Sequence, residues 1–377
     1  MENYKKKPKK RNYKPLYLLA GFLVVFGLFI YLLIKPSTES RAIDDLQNAS
    51  CVEEVRSCWE KNKASLTTDD EYLNEVRAKL SSFHLSAQQT EACLKWLSKP
   101  PQSLNLIIVP DLSGRINDET NNPGQIKNDT TLLNEIWRSF EAATRLKMNS
   151  NDRLLVDVAG GNQAQGQFRS IADDLVFDLS SFRDKSNKLY FTKKGGQFQN
   201  KIAELYDLAR QNPQGADYWS YFNHDLSRNI RTPTLFTDYR NLLIIITDGY
   251  LEAQTKQATG TAFYTGTYQE RLRVFNKLKT GHSVADAIST IMPIMDCADH
   301  FRNLEVLVLE VNVRHSVSAQ EPKDPGTPRD FDILKKLWTD WFIKIEVKNA
   351  SADFFNERLN ATDLTKQKIR NFIKGDN

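Results

Sequence analysis

Leu106-Ile107-Ile108-Val109-Pro110-Asp111-Leu112-Ser113-Gly114-Arg115 is the stretch that decides how this chain of 377 residues is read. Four apolar side chains in a row lead into an aspartate, and the pattern returns at Leu242-Leu243-Ile244-Ile245-Ile246-Thr247-Asp248-Gly249-Tyr250. Successive side chains of a strand point to opposite faces, so a run apolar at every position belongs to a central strand covered on both sides. Leu106–Val109 and Leu242–Ile246 are read as two such strands. Leu154–Val158, Leu175–Leu179, Leu304–Val311 and Phe342–Val347 supply further strand candidates. Between them lie helical stripes: Leu132, Leu133, Ile136, Trp137 and Phe140; Ile202, Leu205, Tyr206 and Ala209; Tyr218, Trp219, Phe222 and Leu226; and Phe331, Leu334, Leu337, Trp338 and Trp341. Strands alternating with helices predict an α/β fold, a doubly wound and mostly parallel sheet over 104–350, with a helical extension over 351–377. The aromatic stripes are read as core.

In an open α/β sheet, ligands bind beyond the carboxyl ends of central strands. Should the two aspartate-tipped strands be neighbours, Asp111, Ser113 and Asp248 converge on one edge. Two carboxylates and a hydroxyl form an all-oxygen set of the kind that accepts a small hard cation such as Mg²⁺. The plainer alternative is that each aspartate caps the turn or helix that follows it.

A strand, then Asp-x-Ser-x-x, then a helix, and much later an apolar strand closing on Thr-Asp-Gly: this order resembles the von Willebrand factor A domain over roughly residues 104–350. The resemblance implies a doubly wound sheet with a metal-ion-dependent adhesion site at its top edge. Asp111 and Ser113 fall on the first ligand positions and Asp248 on the late aspartate. Two positions depart from the pattern. The family signature is Asp-x-Ser-x-Ser, and Arg115 stands at its second serine. Where a later loop should give a threonine, Lys193-Lys194-Gly195-Gly196-Gln197 offers Gln197. Ile116 to Thr130 is an insertion ahead of a helix expected to open near Thr131.

A guanidinium keeps its proton at any working pH. Pointing inward, Arg115 pairs with Asp111 or Asp248 and leaves the Mg²⁺ site weak or absent. Pointing outward, it reaches a partner's carboxylate, and Asp118, Glu119 or Thr120 complete the coordination shell. The function implied is capture of another protein at this edge, without catalysis, with Arg115, Asp118, Glu119, Gln197 and Tyr250 facing the partner. Two alternatives use the same residues. One is a metal-dependent phosphoester hydrolase built on the carboxylates and Ser113. The other is a structural scaffold component of an envelope assembly with a vestigial site.

Outside this domain the sequence speaks of a membrane. Leu16 to Ile34 holds nineteen residues without a charge. As a helix at about 1.5 Å per residue it spans roughly 28 Å, close to the hydrocarbon thickness of a bilayer. The run is too long for the apolar core of a signal peptide, and no small-x-small cleavage site follows. Residues 1–15 form a basic tail, with seven cations against Glu2. The positive-inside rule keeps that tail cytoplasmic and sends the main domain across, into the periplasm if the host is a bacterium. Removing residues 1–14 leaves −2 on residues 15–377, so the folded part lacks the basic footprint of a nucleic-acid binder. Residues 37–50 are read as a spacer and 51–98 as two or three amphipathic helices, the block 37–103 closing at Pro100-Pro101. Cys51, Cys58, Cys93 and Cys297 show no zinc spacing. Cys93 is placed to pair with Cys51 or Cys58 in an oxidising compartment, free buried thiols being the alternative.

Overall fold

The computed structural model describes residues 38–66, 70–98, 100–120, 122–183, 186–251, 297, 299–312 and 330–375. The apolar run 16–34 lies outside the described residues, and no helix among them is long and apolar enough to cross a membrane. The chain divides into two compact units, Met1–Lys99 and Pro100–Asn377.

The first unit is helical: α1 (Thr38–Gln47), α2 (Val52–Leu66), α3 (Asp70–Ser81) and α4 (Ala87–Leu94). The segment read as a spacer is therefore largely helix. Its Ala42 and Leu46, four residues apart and buried, explain why it packs. Trp59 and Tyr72 lie with ring centroids 6.2 Å apart at 15°. Ser86 and Gln89 cap α4 reciprocally, so two amide donors that the first turn leaves orphaned are satisfied. All four cysteines are free thiols, so neither Cys51 nor Cys58 is joined to Cys93. Burial raises the pKa of the Cys58 and Cys93 thiols.

The second unit is an α/β fold on a six-stranded sheet ordered β3-β2-β1-β4-β5-β6. Its strands are β1 (Gln102–Pro110), β2 (Arg153–Val156), β3 (Val176–Asp178), β4 (Asp238–Ile246), β5 (Leu304–Val311) and β6 (Phe355–Glu357). Only β3 runs antiparallel to its neighbour. The helices are α5 (Gln125–Thr144), α6 (Gly166–Asp173), α7 (Asn187–Gln211), the segment 218–229 (α8), α9 (Asp330–Lys344) and α10 (Asp363–Lys374). Within α8 the turn Tyr221–Asp225 is π-helical.

Alternation along the strands splits the core in two. Leu106, Ile108, Leu242, Ile244 and Ile246 meet α5, α6, α7 and α10 on one face. Ile107, Val109, Leu243, Ile245 and Val308 meet α8 and α9 on the other. Central strands flanked this way must be apolar throughout, as these are. The aromatic stripes do lie in the core: Trp137 stacks on Phe198 at 4.7 Å, and Phe222 meets Trp341 at 4.8 Å.

Phe342–Val347, read as a strand, is instead the end of α9 and the turn after it. Trp338, Trp341, Phe342 and Ile345 continue one helical face, which a short apolar run cannot reveal by itself. The sixth strand is Phe355–Glu357, beyond the expected domain end at 350. The C-terminal helix is no appendage either, since Ile369, Phe372 and Ile373 are buried in the core.

Phe198→Ala is expected to cost about 3–5 kcal/mol in urea unfolding, because an enclosed aromatic leaves a cavity. Ile343→Ala, at a position 52% exposed on α9, stays within about 0.5 kcal/mol of the parent.

Candidate functional site

β1 and β4 are parallel neighbours, with Pro110 in register with Ile246. From β1 the chain winds outward through β2 to β3, and from β4 the other way through β5 to β6. The order thus reverses between β1 and β4, and the crevice at their carboxyl ends is where such sheets receive ligands. Asp111 and Ser113 follow the end of β1 and Asp248 follows the end of β4, so all three lie at this one edge.

What fills the crevice is Arg115, whose side chain is 1% exposed. Ser113 opens a short 3-10 turn, Gly114–Asn117, which folds Arg115 back over the end of β1. Its Nε donates to the Asp111 carbonyl at 3.2 Å and lies 3.5 Å from Asp111 Oδ2. Its Nη2 donates to Asp129 Oδ2 at 2.6 Å and to the Ile246 carbonyl at 3.2 Å. Burial works against the cation, yet Asp129 and then Asp111 hold its pKa above the usual arginine value.

Asp129 is wholly buried and sits in the second turn of α5. Gln125 Nε2 donates to its Oδ1 at 2.6 Å and the Tyr206 hydroxyl to its Oδ2 at 3.0 Å. Burial pushes this carboxyl up, while Arg115 and the two hydrogen bonds pull it back. Burial also pushes the Tyr206 phenol well above its ordinary value, so it stays a donor. The insertion is shorter than the sequence suggested. α5 opens at Gln125, six residues before Thr131, after Gly124 takes a left-handed φ of 65°. That shift turns Asp129 from a loop residue into the counterion of Arg115.

The other acidic groups are engaged internally. Asp111 accepts the Ser113 amide on Oδ1 and the Thr247 hydroxyl on Oδ2, each at 2.9 Å. Asp248 accepts the Tyr250 amide at 3.2 Å. Both aspartates are buried, and Ser113 is half-buried. Thus the capping reading holds for both aspartates along with the convergence reading. Gly249, at φ 90°, carries the chain out of β4; a Cβ there would lie 2.9 Å from Val311 Cγ1.

Beside this cluster lies Glu310, which sequence reasoning missed. It is the penultimate residue of β5, takes a left-handed φ of 68° and is 1% exposed. Asn128 donates to its Oε2, and Arg358 Nε lies 3.7 Å away. Burial, and behind it the field of Asp129, push this carboxyl up to about 7. Arg358 also donates to the Pro123 carbonyl at 2.8 Å, and Asn312 donates to Asn122 Oδ1 at 2.9 Å. Asn122 and Pro123 are thereby pinned, and the Asn122 amide, donating to the Asp118 carbonyl at 2.7 Å, ties residues 118–120 to them as a roof. Glu119 and Thr120 are exposed on it, and Asp118 is half-buried.

Two residues expected to face a partner do not lie at this surface. Tyr250 is 4% exposed and packs in the core. Gln197 lies in the middle of α7, where its Nε2 reaches the Asp174 carbonyl at 3.4 Å. The glycines at 195 and 196, which suggested a loop, are accommodated inside that helix. At the rim, the loop after α7 does approach β1: the Gln214 amide donates to the Leu112 carbonyl at 3.2 Å. Among the described residues, no three His, Cys, Asp or Glu side chains are grouped so as to hold a metal ion. Comparison of the chain with protein-family models, with curated proteins and with solved structures found no match.

Removing one partner of a buried ion pair strands the other. Arg115→Ala is therefore expected to cost about 3–5 kcal/mol by urea unfolding, and Arg115→Met with Asp129→Leu to recover much of it. Glu310 sets a pH dependence. Its folded pKa of about 7 exceeds the ordinary glutamate value of 4.5, so the folded state binds the extra proton between them. Its contribution is present in full below the lower value and lost as pH rises through the upper one. Glu310→Gln should flatten the fall in stability across that window, read as midpoint against pH.

Proposed function

We propose that this chain is a membrane-anchored protein-interaction module of von Willebrand factor A-like architecture, without enzymatic activity, in which a fixed guanidinium stands in for the metal ion. The observation that carries the reading is Arg115, buried between Asp111 and Asp129 in the crevice where the sheet order reverses. Strand order and the convergence of Asp111, Ser113 and Asp248 support the architecture. The donor set does not fit Mg²⁺. Each Asp111 oxygen already accepts a hydrogen bond, and a permanent positive charge lies 3.5 Å from one of them. A divalent ion placed beside that charge would be repelled by it.

The same features weigh against phosphoester hydrolysis, which needs an accessible nucleophile or metal-bound water. Binding then falls to the exposed surface above the pair, the roof bearing Asp118, Glu119 and Thr120. The apolar run Leu16 to Ile34 and the basic tail before it support a single-pass anchor with the domain on the far side.

A photo-crosslinking amino acid at position 119, in the full chain in its native membrane, is expected to give a discrete protein adduct that persists in chelator. The same probe at position 197 gives none. Adducts that vanish on chelation, or that form equally at both positions, would contradict the reading.

A further inference from the structure

The opposite edge of the second unit, where β1, β2 and β4 begin, carries a different surface. Leu146 and Met148 stand 92% and 63% exposed in the loop after α5, with Leu189 and Phe236 also exposed. These side chains come from three separate segments that are tied together. Met148 bridges Ser186, Arg183 donates to the Asn149 carbonyl at 2.7 Å and to Asn151 Oδ1 at 2.6 Å, and Asn151 donates to Thr237 at 2.6 Å. The apolar tips therefore form one patch on a braced base.

Cations surround the patch. Arg183 and Lys188 are exposed and have no carboxylate partner among the described residues. Lys147, between the two most exposed apolar residues, also lines a cleft of about 750 Å³ with Arg240, Lys348 and Lys374. Glu305 is the one carboxylate among its lining residues, and it already binds Arg240 and Lys348 at 2.6 Å each. Lys374, exposed at the end of α10, has no ion-pair partner among the described residues.

The geometry points to this edge as a docking surface for an anionic lipid bilayer, the apolar tips entering the interfacial region and the cleft seating headgroup phosphates. Lys147 is bound to the buried Asp152 at 2.9 Å, which leaves Arg183, Lys188 and Lys374 as the cations here without a carboxylate partner among the described residues. Apolar tips beside such cations match the composition of interfacial membrane binders. A protein partner of matching acidity would satisfy the cations, but the bilayer is favoured because the tether read at Leu16 to Ile34 would hold this unit close to a membrane surface. The inference rests on the reading of a tethered chain. It places the Asp111–Asp248 rim away from the lipid, at the far end of strands roughly 30 Å long.

The test uses the full chain in vesicles of phosphatidylcholine alone or mixed with phosphatidylglycerol, with an environment-sensitive fluorescent amino acid at position 148 and, separately, at 119. Spin-labelled lipid should quench the probe at 148 only when phosphatidylglycerol is present, and should leave the probe at 119 unquenched. Leu146→Asp and Lys188→Glu, both at exposed positions, should abolish that quenching while leaving the circular dichroism unchanged. Equal quenching in both compositions, or none in either, overturns the proposal. So does a probe at 148 that is already shielded in detergent without lipid, since a second copy or a protein then covers the patch. Flotation with phosphatidylcholine vesicles reads the tether independently, and its failure leaves the position-148 readout intact.

Discussion

A guanidinium sunk between two carboxylates, at the point where the sheet reverses its order, is the interaction on which the rest of the second unit depends. Arg115 ties the end of β1 through the Asp111 carbonyl, the end of β4 through the Ile246 carbonyl, and the start of α5 through Asp129. Three elements from distant parts of the sequence meet on one side chain. Withdrawing charges from water costs several kcal/mol per ion, and attraction offsets that cost only when hydrogen bonds complete the geometry. Here Gln125 and Tyr206 complete it on the acidic side, and two carbonyls do so on the basic side.

This constraint explains the surroundings. The acids of this rim already face an internal cation. Beside it Glu310 is held out of water, and that burial first, with the field of Asp129 behind it and Arg358 only partly offsetting both, makes the carboxyl hold its proton to about neutral pH. The left-handed backbone at Glu310 costs of order 1–3 kcal/mol, and neighbours that over-determine it are what such a conformation needs. Asn128 and Arg358 are those neighbours, and the latter also pins the roof at Pro123.

Much of the fold was legible because burial on both faces writes itself directly into a strand. Leu106–Val109 and Leu242–Ile246 carry no polar residue, and both proved central. Short runs at the edge of the apolar signal were not decidable: Phe342–Val347 has the residues of a strand, but its side chains follow the helical face of Trp338 and Trp341. At the site, Asp111, Ser113 and Asp248 were readable from strand ends, while the fixed charge of Arg115 left two orientations open, of which packing takes the inward one. Asp129 was missed because polar residues ahead of Thr131 looked like loop. A signal was available, since positions 129, 132, 133, 136 and 140 share one face of a helix. Gln197 was misplaced because two adjacent glycines suggested a break that packing overrode. Glu310, inside an apolar strand, gave no local sign of the charges that topology brings beside it.

The central claim is that Arg115 already supplies the positive charge that this crevice requires. Calorimetric titration of MgCl₂ into the purified full chain tests it most directly. No saturable heat is the result predicted for the native sequence. Tight, stoichiometric Mg²⁺ binding that disappears in Asp111→Asn would contradict it, because a divalent ion would then share the site with the guanidinium said to replace it.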